Sequence, residues 1–452
     1  MVILEGTNCR ILCVLGCVAF SLAFSYQVQS QPLSDAVRMA VSSNPEVQID
    51  ANRRLATEER LKQARAGYLP KLDLSLGEGV EQSENISTRP GSSTLWRSEA
   101  GLTLSQMVYD GAGTRSEVQR QTANVKSAAF RVGATSEQIA QQAIEAYLDV
   151  LRQQERLALA QDNLVAHQRT YEQIKRRAEK GVTRKADLDQ AESRLAFSKA
   201  SVTSAETGLK NAESTYIKVV GETSNALSKP DMSSDFPKTL ENALKIAKDH
   251  HPSLRAARSE VEAAQAQIRS AESQMLPRLD LEMGTTWDDN VDGINATSSD
   301  TYAILRMRYN LFRGNADRAR IAESQLQTQV AVEDTNRILR LVEDNVRFSW
   351  NALESARDRL PRLQERANAA ERARDHYSRQ FSAGQRTLLD LLDSENELFS
   401  SRTAYVDEQY VDLFAHYRLL ANMGQLLSSL GVSPREESRT EDKADSPTLQ
   451  KN

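Results

Sequence analysis

The chain has 452 residues, room for two or three ordinary domains, yet aromatic residues make up only 6% of it, and Ala, Gln, Glu, Arg, Ser and Leu fill long stretches. That balance favours extended helices packed through small side chains over thick ring-filled cores. A net charge of -5 spread through mixed-sign sequence provides no basic stripe for nucleic acid, and no nucleophile elbow, phosphate loop or HExxH motif marks an enzyme.

Residues 1–30 read as a signal peptide: Arg10 precedes the apolar run Ile11 to Phe24, and Val28-Gln29-Ser30 places small residues for cleavage before Gln31. Cys9, Cys13 and Cys17, the three cysteines of the chain, fall inside it. A lipoprotein signal at Cys17 is the alternative, although it leaves Val18 to Phe24 apolar after the cut. Beyond residue 30 no apolar run approaches the roughly 20 residues of a membrane helix, so a chain that crosses a membrane must do so with strands.

Residues 31–221 form a first unit, with a helix, a hairpin over about 72–110, a long helix over about 112–180 and a return helix over about 184–220. In the hairpin, Leu72, Leu74 and Leu76 alternate with Asp73, Ser75 and Gly77. Trp96, Ala100, Leu102, Leu104 and Val108 alternate with Arg97, Glu99, Thr103 and Ser105. Period two with one apolar and one polar face fits a barrel with lipid outside and water inside, or an ordinary sheet with one face on a core. In the long helix, Ile139, Ala143, Ala146, Val150, Gln153, Leu157, Ala160 and Leu164 advance by alternating steps of four and three, a heptad seam. Residues 222–239 read as a linker.

Residues 240–432 repeat the unit, with a hairpin over about 279–312, a long helix over about 315–383 and a return helix over about 387–430. Leu69, Pro70, Leu72, Asp73 and Gly77 recur 207 residues later as Leu276, Pro277, Leu279, Asp280 and Gly284. From Gly111 onward the offset is 203, so that Gly111, Gly181, Asp187 and Gly221 meet Gly314, Gly384, Asp390 and Gly424. The copies therefore differ in length only across the hairpin, which is how a loop behaves and how a helix in register does not. The second seam runs through Val342, Val346, Ser349, Leu353, Ala356, Leu360 and Leu363, with Pro361 expected to kink or bulge it. Trp96 and Trp287 near one end of the hairpins and Tyr109, Tyr309 and Phe312 near the other are placed as membrane girdles. The tail, 433–452, is charged and reads as disordered. His167, His250, His251, His376 and His416 have no metal-ligand spacing and read as surface residues; no cofactor is expected.

Four strands cannot close a barrel in lipid, where an open edge leaves backbone groups unpaired, so several chains must share one. Two chains supply eight strands and three supply twelve; a conducting tube favours three or more.

The repeat, the Leu-Pro before each unit's first strand, the turns at Gly111 and Gly314, and the tips at Gly181 and Gly384 resemble the TolC family of trimeric outer-membrane export ducts over about residues 32–432. The run from Gly384 to Asp393, GQRTLLDLLD, is similar to that family's most recognisable stretch, and Asn310 to Arg320 and Gln385 to Gly431 look most like ducts of type I protein secretion, including adhesin exporters. The resemblance implies a homotrimer, mainly α with membrane β: a twelve-stranded barrel in the lipid of the Gram-negative outer membrane, continued by a twelve-helix periplasmic α-barrel. It implies a periplasmic adaptor and an inner-membrane ABC transporter as partners. Asp390 and Asp393, spaced i, i+3, match the family's acidic channel constriction, although Thr387-x-x-Asp390 also reads as a helix cap. Arg386 and Asp187 match its tip latch, with Phe381 where an aromatic hydroxyl is expected and Ala186 where a hydroxyl is expected, which implies a looser closed state held by Arg386 to Asp187 pairing. The rival functions are small-molecule efflux with a proton-driven pump and, more remotely, a periplasmic coiled-coil structural protein.

Overall fold

The computed structural model describes residues 31–224, 226–232 and 236–440. The expected signal peptide, and residues 441–452 of the tail, lie outside the described residues. Each half of the chain begins with a pair of helices: α1 (Leu33–Ser43) and α2 (Pro45–Ala66), then α5 (Leu240–His250) and α6 (Pro252–Ser273). Local chemistry sets the break within each pair. Asn44 accepts the Glu46 N–H at 2.9 Å and His251 accepts the Ser253 N–H at 3.3 Å, each as the cap of a helix whose first residue is proline. Proline at that position gives up a donor that no helical partner would have taken.

Between the pairs and the long helices stand two hairpins, β1 (Lys71–Ser83) with β2 (Ser93–Tyr109) and β3 (Arg278–Asp289) with β4 (Thr297–Arg308). They pair into one antiparallel sheet in the order β1-β2-β3-β4. Register keeps the faces separate. Leu72 lies opposite Leu104, Leu104 opposite Met283 and Met283 opposite Ala303, so this row of one face is apolar from edge to edge, with Leu72, Met283 and Ala303 exposed and Leu104 half-buried.

Below the sheet run α3 (Gly113–Glu179) and α7 (Ala316–Ser382), each of 67 residues and so about 100 Å long. Each returns as a shorter helix, α4 (Lys185–Val220) and α8 (Leu388–Asn422), in an antiparallel coil. The seam residues Ile139, Ala143, Ala146 and Val150 are buried, as are Val342, Val346, Ser349 and Leu353 at the equivalent positions. Helix α7 continues through Pro361: the residue is exposed, and its ring takes one bond from a ladder of 67 residues that packing on α8 holds together.

The main core lies midway, where the amphipathic α1 and α5 cover the long helices. Tyr147 pins the chain there. Its hydroxyl accepts the Ser228 N–H at 3.0 Å and stands 2.7 Å from the Ser228 carbonyl and 2.8 Å from that of Gln31, donating to one at a time.

Three readings of the sequence need correction. The return helix α8 stops at Asn422 rather than near 430, because Gly424 takes a left-handed φ of 72° beside Pro252, where a Cβ would stand 2.8 Å from Cδ; the four-residue α9 (Leu426–Ser429) follows. The tail is not disordered up to residue 440: Arg435 donates to the Ser42 carbonyl at 3.3 Å and pairs with Glu437 at 3.1 Å, and a 3-10 turn at Glu436–Ser438 lies on α3. The histidines are not all on the surface. His167 and His416 are buried, and His416 stacks on Phe236 at 4.5 Å between centroids. Burial pushes both His416 and His251 down to about 4, so they are neutral core and capping groups.

Candidate functional site

Two regions concentrate chemistry: the tip, where the coils turn, and the sheet. At the tip each long helix ends in the same way. Gly181 (φ 70°) and Gly384 (φ 74°) are left-handed, and the next residues, Val182 and Gln385, donate at 2.9 Å to carbonyls five residues back, at Arg177 and Gln380. Only glycine takes that conformation without strain. After the turns the copies part. Thr387 caps α8: its hydroxyl accepts the Asp390 N–H at 3.2 Å, while Asp390 accepts the Thr387 N–H at 3.2 Å and the hydroxyl at 2.8 Å. Arg184 occupies the same place before α4 and makes no such cap.

Asp390 is therefore a capping residue in this structure, and the Thr387 hydroxyl, the first of its partners, holds its carboxyl below the ordinary range. Arg386 does not reach Asp187 within the chain. Its guanidinium lies over the Tyr377 ring at 4.6 Å, donates to Gln380 at 3.1 Å and stands 3.9 Å from Asp390. Asp187 sits half-buried in the first turn of α4 with no ion-pair partner among the described residues. Phe381 points into the tip core with Ile174 and Ala191 of the first coil and Leu388, Leu391 and Leu392 of the second, under the Arg177 guanidinium at 5.2 Å. A ring with no hydroxyl can join that core without an unmet bond. The ion pair that crosses between the coils here is Arg194 of α4 with Asp393 of α8, at 3.1 Å, which sequence reasoning missed.

In the sheet, Trp96 and Trp287 lie toward the hairpin loops, and Tyr109 pairs with Leu279 near the helical end, where Tyr309 and Phe312 follow β4. All five are exposed. From Trp287 to Leu279 the strand runs about 26 Å, close to the height of a membrane's apolar band. The opposite face is charged: Arg308 pairs with Asp280 at 3.0 Å and Glu282 at 2.6 Å, and Arg306 with Glu282 at 2.8 Å. Tyr302 lies across Gly284, where a Cβ would stand 2.7 Å from the ring.

The strand-to-helix turns at Gly111 (φ 65°) and Gly314 (φ 57°) share a left-handed backbone and stand in different surroundings. A Cβ on Gly111 would come within 2.7 Å of Leu276 and 2.9 Å of the Ser273 carbonyl; one on Gly314 would meet nothing. No group of three or more His, Cys, Asp or Glu side chains among the described residues could hold a metal ion, and no described helix is long and apolar enough to cross a membrane.

The outer membrane efflux protein family profile matches residues 36–222 and 243–425, once in each half. The outer membrane efflux protein BepC of Brucella suis is 26% identical, over 88% of this chain and 86% of that protein. The proteases secretion protein PrtF of Dickeya chrysanthemi is 24% identical, over 88% and 89%. The crystal structure of the Campylobacter jejuni CmeC outer membrane channel shares the fold, with a TM-score of 0.76 at 14% identity over 91% of this chain and 90% of that one.

Proposed function

Because the chain belongs to the outer membrane efflux protein family, that of the TolC ducts, and is a Gram-negative outer-membrane channel component with no enzymatic role, we propose that three copies close one twelve-stranded barrel and a helical tunnel that reaches into the periplasm. The observation that carries the reading is the pair of open edges. Strands β1 and β4, of 13 and 12 residues, each leave the backbone groups of their outer edge unpaired beside an exposed apolar face, which lipid tolerates only in a closed barrel.

The repeat supplies the missing contacts. Helix α3 is covered by α6 of its own chain, so Ala123 and Ser127 are buried, and Ser127 donates to Glu260 at 2.9 Å. At the same positions α7 carries Leu326 and Val330, both more than 60% exposed. Likewise Ala256 and Ala263 of α6 are buried, while their counterparts on α2, Ile49 and Ala56, are exposed. A neighbouring copy that sets its α2 on α7, as α6 sits on α3, covers both faces. Its Leu69 then meets Gly314 as Leu276 meets Gly111.

The same operation fixes strand register. Leu104 pairs with Met283; adding 203 to the first and subtracting 207 from the second sets Met307 opposite Leu76 of the next copy. Cysteines at positions 76 and 307 will form dimers and trimers on non-reducing gels, in a mature chain that otherwise has no cysteine. Cross-linking that favours 74 with 307, or none, overturns the closure.

The exposed tips would dock a periplasmic adaptor and through it an inner-membrane ABC transporter, making the chain the exit duct of type I protein secretion. Asp390 and Asp393 would ring the constriction, with Arg386, Asp187 and Phe381 at the closed tip. The likeness to PrtF and the tip run Gly384 to Asp393 support secretion, and the likeness to BepC keeps small-molecule efflux as the second reading. Deleting the gene separates them. Loss of a large secreted protein at unchanged drug susceptibility selects secretion, and the reverse result selects efflux.

A further inference from the structure

We propose that Arg194 is the countercharge of the tip: it neutralises Asp393, ties the first coil to the second, and leaves the constriction only weakly selective for cations. The proposal rests on Asp390 and Asp393 lining that constriction. Its origin is a charge reversal between the repeats. In the second coil, Arg366 of α7 donates to Glu397 of α8 at 2.8 Å, a bond made within the coil. With the offset of 203 the same two positions in the first coil hold Asn163 and Arg194. The acid has become a base.

Arg194 therefore finds no carboxylate at that place on α3, where the buried residues are Asn163 and His167. His167 is itself held below its ordinary range by burial and by the Arg194 charge, and a neutral imidazole is no counter-ion for a guanidinium. The guanidinium instead crosses to α8, where its Nη2 donates to Asp393 Oδ1 at 3.1 Å. Asp393 in turn has no twin in the first repeat, where Gln190 takes its position. Both members of the pair are thus departures from the repeat, one in each copy, and they meet.

The electrostatic consequence follows directly. Asp390 stands 3.9 Å from Arg386, and Asp393 is bonded to Arg194, so each of the two constriction acids has a guanidinium beside it. In three copies six carboxylates face six guanidiniums. Selectivity built on a ring of fixed charge is set by the net charge of that ring, and here the opposing charges nearly cancel.

The test uses the full-length oligomer in planar bilayers under a KCl gradient, reading the reversal potential. Arg194→Gln is expected to raise the potassium-to-chloride permeability ratio roughly two-fold or more. Arg194→Lys should stay near the native value, and Asp393→Asn alone should shift the potential toward chloride, because it leaves Arg194 unopposed. Arg194→Gln combined with Asp393→Asn should return close to native. If Asp390→Asn with Asp393→Asn moves the potential while Arg194→Gln moves it no more than the remote Arg38→Gln does, Arg194 is not the countercharge. If the double aspartate variant moves nothing, the constriction itself is misplaced and the proposal falls with it. Should Arg194→Gln fail to assemble, the single Asp393→Asn decides: no shift toward chloride overturns the pairing.

Discussion

Helices α3 and α7 have the same length, the same seam and the same terminal glycines, yet they stand in different surroundings. Around α3 the chain wraps α2, α6, α4 and α8, and the residues that meet α6 are small, as at Ala123 and Ser127. Along α7 one side is open, and there the equivalent residues are Leu326 and Val330. A repeat shared by two environments in one chain teaches where a third surface must come from. In the proposed trimer, another copy's α2 does for α7 what α6 does for α3.

The largest test breaks that equivalence. Leu326→Asp with Val330→Asp should abolish the proposed trimer while leaving the helical signal by circular dichroism intact, because it removes about 3–5 kcal/mol of apolar burial at each of its three interfaces and adds buried charge. Trimers of native yield on gels would contradict the proposed packing.

A subtler comparison sets the two turn glycines against each other. Gly111→Val faces both a left-handed φ and contact with Leu276, and should destabilise the monomer fold by about 2–3 kcal/mol. Gly314→Val meets only the backbone cost in an isolated chain, and should act mainly on assembly, through Leu69 of the neighbour. Limited proteolysis of monomer and oligomer separates these outcomes; equal effects in the monomer would count against the pairing.

Glu137 on α3 distinguishes the helices chemically, since α7 carries the exposed Arg340 there. Its carboxylate accepts the Leu426 and Leu427 N–H groups, at 3.1 and 3.4 Å, and holds the C-terminal turn on α3. Burial pushes this acid up from 4.5 to about 7. The folded chain therefore keeps a proton that the unfolded chain releases, so the contribution to stability declines as pH rises from about 4.5 to about 7 and is flat above. Glu137→Gln should remove that slope and stabilise the fold at pH 8 by about 3 kcal/mol. An unchanged slope in thermal melts across this range would refute the assignment.

The smallest expected effect is at the caps. Thr387→Ala should cost about 1 kcal/mol and fray the start of α8, whereas Arg184→Ala, at the uncapped equivalent, should cost nearly nothing. Amide exchange in the first turns of α4 and α8 reads both.

Much of this architecture was legible in the sequence because its signals are periodic. Alternation at 72–76 and 279–283, steps of four and three at 139–164, and the constant 203 offset each report a local geometry that repeats along the chain. Glycines at 111, 181, 314 and 384 were legible for a related reason, since a left-handed φ is demanded by the backbone alone. The histidines were not. His416 has ordinary helix neighbours in sequence, and its burial comes from Phe236, 180 residues away. Arg194 with Asp393 escaped notice for the same reason, lying 199 residues apart on helices of different repeats.

From the sequence alone came the unit, its duplication, the strand faces and the place where length is free to vary, since these depend on periods of two and of three and a half that any chain of these residues would impose on itself. Tertiary structure decided which acid meets which base at the tip, which histidines lose their water, and where the tail docks. Those outcomes depend on distances between segments far apart in the chain. An ion pair or a buried ring is set by what arrives opposite it, and no local pattern records the arrival.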